Sequence, residues 1–512
     1  MILSNSNLSG SFIKETVASF LSTRLNEKST QQGAFFIGGA TPTSTMLCLD
    51  VRFTIRYSVS AEKPKRLKSS RKYVIIDPLN GKGYETEVLR MKITTEYHLG
   101  GKYDVIVCGG GPSGVAAAIS SARNGAKTLL VEQGGCLGGF WTRGLLTWLI
   151  DTFDKGALLD EVMERLEKNA DGKKFPDISR FTADSEKTKL EFERMCRESG
   201  VDMLYHTFVS GAVTEQGRVK AILSESKSGR VYFEASVFID ATGDGDLSYF
   251  CGASYEIGNE DGAMQPMSLV AHVDGVTVNG TPYDSRYTPN KEAKARILAD
   301  MANAGVAPSY RSPLIAVLSE TYNTLGFMVN HEYGCGLNAR DLTEGTIHAR
   351  EEIHAIVDGL RNHGGIWKDL RVCATADMIG VREGRRINGL YKVTADDVIA
   401  GREFEDGICT VTFNTDIHAL RPEKDKAFEV KYGRKHPPYQ IPLRALISAD
   451  LDNLMMAGRC ISGDFAAHAS YRVGGPAFRT GEAAGICAAY CVKNGVLPKE
   501  AVVKTALPGT LL

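Results

Sequence analysis

The sequence has no C-x-x-C pair, no apolar run long enough to cross a bilayer and no excess of charge of either sign. Each absence removes a class of function. Eleven cysteines, an odd number without regular spacing, exclude a zinc framework or a disulfide-stapled scaffold and predict reduced thiols, which favours the cytoplasm. No metal-ligating pattern is present, so no metal is expected. The best apolar stretch, Val115 to Val131, is interrupted by Arg123, Asn124 and Lys127 and falls short of the roughly 18 clean residues of a spanning helix. No membrane partner is expected. Lysine plus arginine (60) against aspartate plus glutamate (61) gives no electrostatic footprint for nucleic acid. A small-molecule substrate is the expected partner; nothing in the composition specifies an oligomeric state.

What is present is enough apolar material, 43% of 512 residues, for two or three packed units. Residues 1 to about 35 are serine-rich and poor in acids, with Lys14, Arg24 and Lys28, and read as an N-terminal extension in preference to a transit peptide. Residues 36–98 hold short β-like runs such as Val51 to Tyr57 and a turn signal at Pro78-Leu79-Asn80-Gly81, without visible chemistry. From Tyr103 the pattern becomes a buried strand, Val105 to Cys108, a glycine turn, a small-residue helix from Val115 to Asn124, and a second strand, Thr128 to Val131. Helical periodicity covers 156–170 and 185–199. Val201 to Val213, Val219 to Ser224 and Val231 to Phe238 read as successive strands leading to Ile239-Asp240-Ala241-Thr242-Gly243. Residues 251–440 are more mixed, with a strand-like Ala374 to Gly380. Leu451 to Ala457 is again strand-like, and Ala477 to Val492 reads as a helix.

The turn Gly109-Gly110-Gly111-Pro112-Ser113-Gly114 lies directly after a strand and opens a helix. Gly109 permits the tight turn, Gly111 lets the backbone approach a pyrophosphate, and Gly114 allows helix and strand to pack closely. The phosphates then rest on the helix N-terminus, where unpaired N–H groups and the helix dipole favour negative charge. Glu132, at the end of the second strand, is placed to accept from a ribose 2′-hydroxyl. The fingerprint alone does not choose between FAD and NAD.

Three further blocks carry a family resemblance: Glu132-Gln133-Gly134-Gly135-Cys136-Leu137-Gly138-Gly139, Ala241-Thr242-Gly243-Asp244-Gly245-Asp246, and Asn453 to Asp464, which contains Gly458-Arg459-Cys460 and Gly463-Asp464. Gly380 to Arg386 and Gly481-Glu482-Ala483-Ala484-Gly485 add to it. Together they resemble the FAD-dependent oxidoreductases of the glutathione-reductase-like superfamily, and more narrowly the bacterial FAD-dependent oxidoreductase family, from about residue 100 to 495. The resemblance implies FAD as cofactor and an α/β fold. A Rossmann-type FAD-binding domain would be assembled from discontinuous segments, 99–250 and 441–500, with an inserted α+β substrate domain at 251–440. Residues 1–98 would be an extension with a small β-rich unit, and 501–512 a tail. It further implies that Gln133 and Gly134 to Gly139 pass the ribityl and flavin and that Phe208-Val209 flank adenine. Ala241-Thr242-Gly243 would cross near the adenosine half, and Arg459 and Asp464 would contact the cofactor, Asp464 at a ribityl hydroxyl. The helix start after Arg472-Val473-Gly474-Gly475-Pro476 would point at the flavin N1 and C2 carbonyl.

A second glycine fingerprint for NAD(P)H and a redox cysteine pair, both expected of a disulfide reductase, are not visible. FAD carries hydride chemistry, so the protein is expected to supply a base and charge stabilisation. Among the histidines His468 is the first choice, because it lies four residues beyond Asp464. His418 is second, with Asp416 available to fix its tautomer. Arg382, Glu383, Arg385 and Arg386 form a charge cluster suited either to a polar or anionic substrate or to a salt-bridge network, with Arg382 the candidate site residue. The expected activity is an FAD-dependent dehydrogenase or oxidase moving a hydride between FAD and a small polar substrate, such as a sugar or hydroxy-acid derivative. Two alternatives stand beside it: a flavoprotein electron relay or structural-FAD protein, and a flavoenzyme modifying RNA or protein.

Overall fold

Val105, Ile106, Val107 and Cys108 are fully buried, which an unbroken apolar run achieves as a central strand covered on both faces. The computed structural model describes residues 72–76, 83–87 and 95–504, except 169–171, 176–178, 279–280, 284–290, 320–323, 423–427 and 429–434. The chain divides into two units between Thr95 and Glu96. In the first, Lys72–Ile76 pairs antiparallel with Gly83–Glu87, flanking the expected turn signal. That turn, and the run from Val51 to Tyr57, lie outside the described residues.

The second unit begins with β1 (His98–Cys108), α1 (Pro112–Arg123) and β2 (Thr128–Val131), a βαβ unit where the apolar pattern places it. Then come β3 (Asp202–Leu204), β4 (Phe208–Glu215), β5 (Arg218–Ser226) and β6 (Gly229–Asp240). The stretch Val201 to Val213 is therefore not one strand. His206 takes a left-handed conformation (φ +51°) and ends the ladder. The two halves go to opposite edges of a sheet ordered β3-β2-β1-β6-β5-β4. Pairs β3–β2, β2–β1 and β1–β6 are parallel, whereas β6–β5–β4 is an antiparallel meander. The long β6 serves both parts.

Between β6 and the return of the chain to this sheet lie β7 (Ala271–Asp274), β8 (Leu314–Ser319), β9 (Thr324–Met328), α2 (Ala339–His363) and β10 (Arg371–Thr375). The strands form an antiparallel sheet ordered β8-β9-β7-β10. The Asn338 side chain caps α2, and its Ile353, Ile356, Val357 and Leu360 share one apolar core with Val273, Leu325 and Phe327. The strand expected at Ala374 to Gly380 stops at Thr375; beyond it Ala376 N donates to Val270 O, and Gly380 makes an isolated bridge to Ser268. Residues such as Ile387, Val411 and Ile441 belong instead to the core of the first sheet.

The chain rejoins that sheet as β11 (Leu454–Met456), parallel to β6, and continues into α3 (Phe465–Tyr471) and α4 (Gly474–Asn494). Helix α4 lies against α1. A Cβ on Gly481 or Gly485 would come within 2.0 Å of Ser113 O and 2.2 Å of Ala117 O respectively, so these glycines set the approach of the two helices. The architecture is a mixed α/β fold with a Rossmann-type parallel sheet. No helix among the described residues is long and apolar enough to cross a membrane.

Candidate active site

A cavity of about 750 Å³ runs from the carboxyl ends of the parallel strands to the inserted sheet and the first turns of α2. Its floor is the glycine turn. Gly109 has φ +101°, and a Cβ there would sit 2.4 Å from Ala241 O; a Cβ on Gly114 would sit 1.8 Å from Gly109 O. These two glycines are required by protein packing. At Gly111 a Cβ would meet no protein atom within 4 Å, and the residue faces the cavity. Gly111 is also the N-cap of α1 and brings no side-chain cap to that helix start. Space and unspent N–H groups coincide where a pyrophosphate would rest, so the residues present fit a dinucleotide.

Glu132 is buried on the cavity wall. Gly110 N and Gly134 N each donate to one of its carboxylate oxygens at 2.6 Å, and Arg143 Nη1 stands 3.3 Å away. The carboxylate is thus pinned by its own loop before any ribose arrives. The segment between β3 and β4 holds the same loop, His206 N donating to Gly134 O and Thr207 N to Glu132 O. That crossover brings Phe208 and Val209 to the cavity, with Phe208 51% exposed. Pro112, Ser113, Gln133, Gly139, Ala241, Thr242, Gly243, Arg459, Arg472 and Gly474 also line it. Arg459 is held by Asp244 at 2.7 Å.

Several expected contacts stand elsewhere, Gly134 and Gly135 among them. Gly138 (φ +100°) turns the loop behind the wall, its Cβ position 2.4 Å from the Thr142 side chain. Gly475 packs on Asp151 O, which a Cβ would approach to 1.6 Å. Asp464 does not line the cavity: its carboxylate caps α3 by accepting from Ala467 N at 2.8 Å and also accepts from Ala395 N at 2.6 Å. His468 is the largest correction. It is fully buried off the cavity wall and edge-on to Tyr471, its rings 5.6 Å apart. Burial, with Arg386, Arg472 and Arg459 nearby, pushes its pKa far down.

His418 does reach the cavity, and it has company. Its Nε2 lies 3.1 Å from Asp416 Oδ2 and its Nδ1 2.9 Å from His331 Nε2. His331 is in turn stacked on Tyr310 at 4.1 Å. Burial first, then the charge of Arg382, pushes the His418 pKa down to about 3, and the same two causes lower His331. Burial opposes ionisation of Asp416, but His418, Arg472 and Arg382 outweigh it and hold that carboxyl well below the usual range. Near neutral pH the row is therefore Asp416 carboxylate and two neutral imidazoles. An ionised carboxylate only accepts, so His418 carries its proton on Nε2, and Nδ1 accepts from His331 Nε2–H. His331 has no motif or spacing to mark it, lying on the far side of the insert from His418 in sequence.

The arginine cluster divides. Arg386 pairs with Glu383 in the interior, Arg385 with Asp246 at 2.9 Å, and Arg382 alone of the three lines the cavity. Leu342, Thr343, Thr346 and Ile347 of α2 complete the wall, a face that the sequence does not distinguish from any other helix. Glu332, His348 and Glu352 bring three donor atoms within 4.8 Å, but Glu332 is bonded to His348, and Glu352 accepts from Ser309 N and Oγ. The group is explained as a hydrogen-bonded cluster.

Residues 104–508 match the family described as FAD dependent oxidoreductase. The tRNA uridine 5-carboxymethylaminomethyl modification enzyme of Heliobacterium modesticaldum is 31% identical over 178 residues, 30% of this chain and 27% of that enzyme. Thiamine thiazole synthase of Methanococcus aeolicus is 29% identical over 168 residues, 31% of this chain and 60% of the synthase. The chain thus matches less than two-thirds of the length of either relative. Among solved structures, a geranylgeranyl bacteriochlorophyll reductase-like protein from Thermoplasma acidophilum shares 15% identity over 80% of this chain and 82% of its own, with a TM-score of 0.42. A flavin-dependent brominase shares 15% over 79% and 82%, with a TM-score of 0.45.

Proposed function

The chain belongs to the FAD-dependent oxidoreductase family, and from that premise we propose that it oxidises a small polar substrate by hydride transfer to FAD, with His418 as the proton acceptor. Bound FAD supplies the two-electron acceptor. The chain supplies the rest. The Gly111 turn and the start of α1 would hold the pyrophosphate, and Phe208 and Val209 the adenine side. Arg472 and the start of α4 would face the flavin end.

The single observation that carries the proposal is the Asp416–His418 pair on the cavity wall, with His331 bonded to it off the wall. A general base must be unprotonated at working pH, and burial beside Arg382 keeps His418 so. Asp416 selects the tautomer and stabilises the imidazolium once the substrate proton arrives. Because Nε2 carries a proton, His418 takes the substrate proton at Nδ1, which His331 Nε2–H occupies at 2.9 Å and must first release.

The superfamily resemblance to glutathione-reductase-like proteins belongs with this proposal, as does the expectation of a substrate domain in the insert. An electron-relay role is the less supported alternative, because the cavity continues past the cofactor-binding turn to a wall built by the insert. Anaerobic mixing of the FAD-loaded protein with hydroxy acids, sugars and amines tests the proposal. At least one class should bleach the flavin, and deuterium on the oxidised carbon should slow the bleaching. Failure of every class, with the flavin reducible by dithionite, contradicts it.

A further inference from the structure

Arg382 and Arg472 stand on the cavity wall with no carboxylate in direct contact. Arg382 donates from Nη1 to Pro266 O at 2.6 Å and to Ser268 Oγ at 2.9 Å, and from Nη2 to the Met328 sulfur at 3.8 Å. Arg472 donates from Nη1 to Arg382 O at 2.9 Å, and from Nη2 to Gln265 Oε1 at 3.1 Å and Asp416 O at 2.8 Å. Its nearest carboxylate oxygen, on Asp416, is 4.0 Å away. These neutral acceptors orient the guanidiniums without cancelling their charge. Each keeps an Nε–H that has no partner among the described residues.

Glu383 is taken by Arg386, and His418 and His331 are neutral. The Asp416 carboxylate comes no nearer to Arg472 than 4.0 Å. Each guanidinium lowers the pKa of the histidine beside it, and Arg472 itself is pushed down to about 10 by burial. Partly desolvated positive charge is costly unless an anion shares the space, and here that space is the cavity.

Away from the arginines the wall turns apolar, with Leu314, Met328, Leu342, Ile347, Met378 and Ile379, and with hydroxyls only at Thr343 and Thr346. Asp377, the acid at that end, is engaged by Arg143 at 3.2 Å. The geometry points to an amphipathic carboxylate as the substrate: its carboxylate on Arg382 and Arg472 beside His418, and its apolar chain or ring along the wall of the insert. This rests on the proposed flavin-dependent oxidation and selects the hydroxy-acid class over sugars. The remaining N–H donors of the two guanidiniums suit a charged carboxylate, and a sugar offers the apolar wall nothing.

The test is a titration of the FAD-loaded full-length protein with hexanoate and with its neutral isostere hexanamide, read from the visible spectrum of the bound flavin. Hexanoate should bind about tenfold or more tightly than hexanamide, and more tightly than acetate. Arg382→Gln should weaken hexanoate by about 10- to 100-fold while leaving hexanamide nearly unchanged. Equal binding of hexanoate and hexanamide to the native protein overturns the inference, as does a variant that weakens both alike. Should the variant fail to load FAD, the native ratio alone decides. A preference for hexanoate without bleaching by 2-hydroxyhexanoate upholds the anion site and counts against the oxidation. Bleaching by uncharged alcohols, with no preference for hexanoate, upholds the oxidation and overturns the anion site.

Discussion

His418 Nδ1 lies 2.9 Å from His331 Nε2, so two neutral imidazoles, only the first of them in the wall of the cavity, share a single hydrogen. Because Asp416 fixes the tautomer of His418, His331 must be the donor, and its bond favours the unprotonated form of the acceptor ring. Two consequences can be measured.

The first is a level pH profile. A base whose pKa is pushed down to about 3 is unprotonated throughout the ordinary range. Protonation below that value removes activity, and raising the pH above it adds nothing. The rate of flavin reduction should therefore stay flat from pH 8 to about 5, where an unperturbed histidine near 6.5 would already have lost most of its base form.

The second is the effect of His331→Phe, which keeps a ring against Tyr310 but cannot donate. Freeing Nδ1 makes protonation of His418 easier, so its pKa rises and the acid limb of the profile moves upward by about one unit, the equivalent of one hydrogen bond. A limb that stays in place assigns His331 a packing role only.

The glycine turn separates packing by protein from packing by ligand. Gly111→Ala places a methyl where no protein atom lies within 4 Å, so the apoprotein should melt as before while FAD binds roughly 10- to 100-fold more weakly. Gly114→Ala would drive a methyl into Gly109 O and should lower the melting temperature of the apoprotein itself. Differential scanning fluorimetry with and without FAD distinguishes the two.

Asp464→Ala should cost about 1–2 kcal/mol in stability through the lost cap on α3 and leave FAD binding nearly intact. Chemical denaturation, together with flavin fluorescence on release, reads both. A large loss of FAD affinity would restore Asp464 to the cofactor.

The parts of this protein that local pattern controls are the parts the sequence shows. Val105 to Val131 is set by an apolar run, a glycine turn and small residues, and the helices starting at Ala157 and Ser185 follow their periodicity closely. Where a single residue redirects the chain, pattern fails. Nothing in Val201 to Val213 announces that His206 will turn left-handed and send Phe208 to the other edge of the sheet. The histidines are hard to place from sequence for a related reason. Closeness of His468 to Asp464 in sequence says nothing about which way a short capped helix faces, and α3 turns that ring into the core. His331 and His418 are brought together by the insert, and no spacing rule connects them.

The most direct test of the account is single-turnover anaerobic reduction of the FAD-loaded protein by its best substrate, comparing native protein with His418→Gln and His468→Gln. The account predicts that His418→Gln slows flavin bleaching by about 10²- to 10⁴-fold with FAD retained, and that His468→Gln bleaches at nearly the native rate. Native bleaching in His418→Gln, or selective loss in His468→Gln, would contradict it.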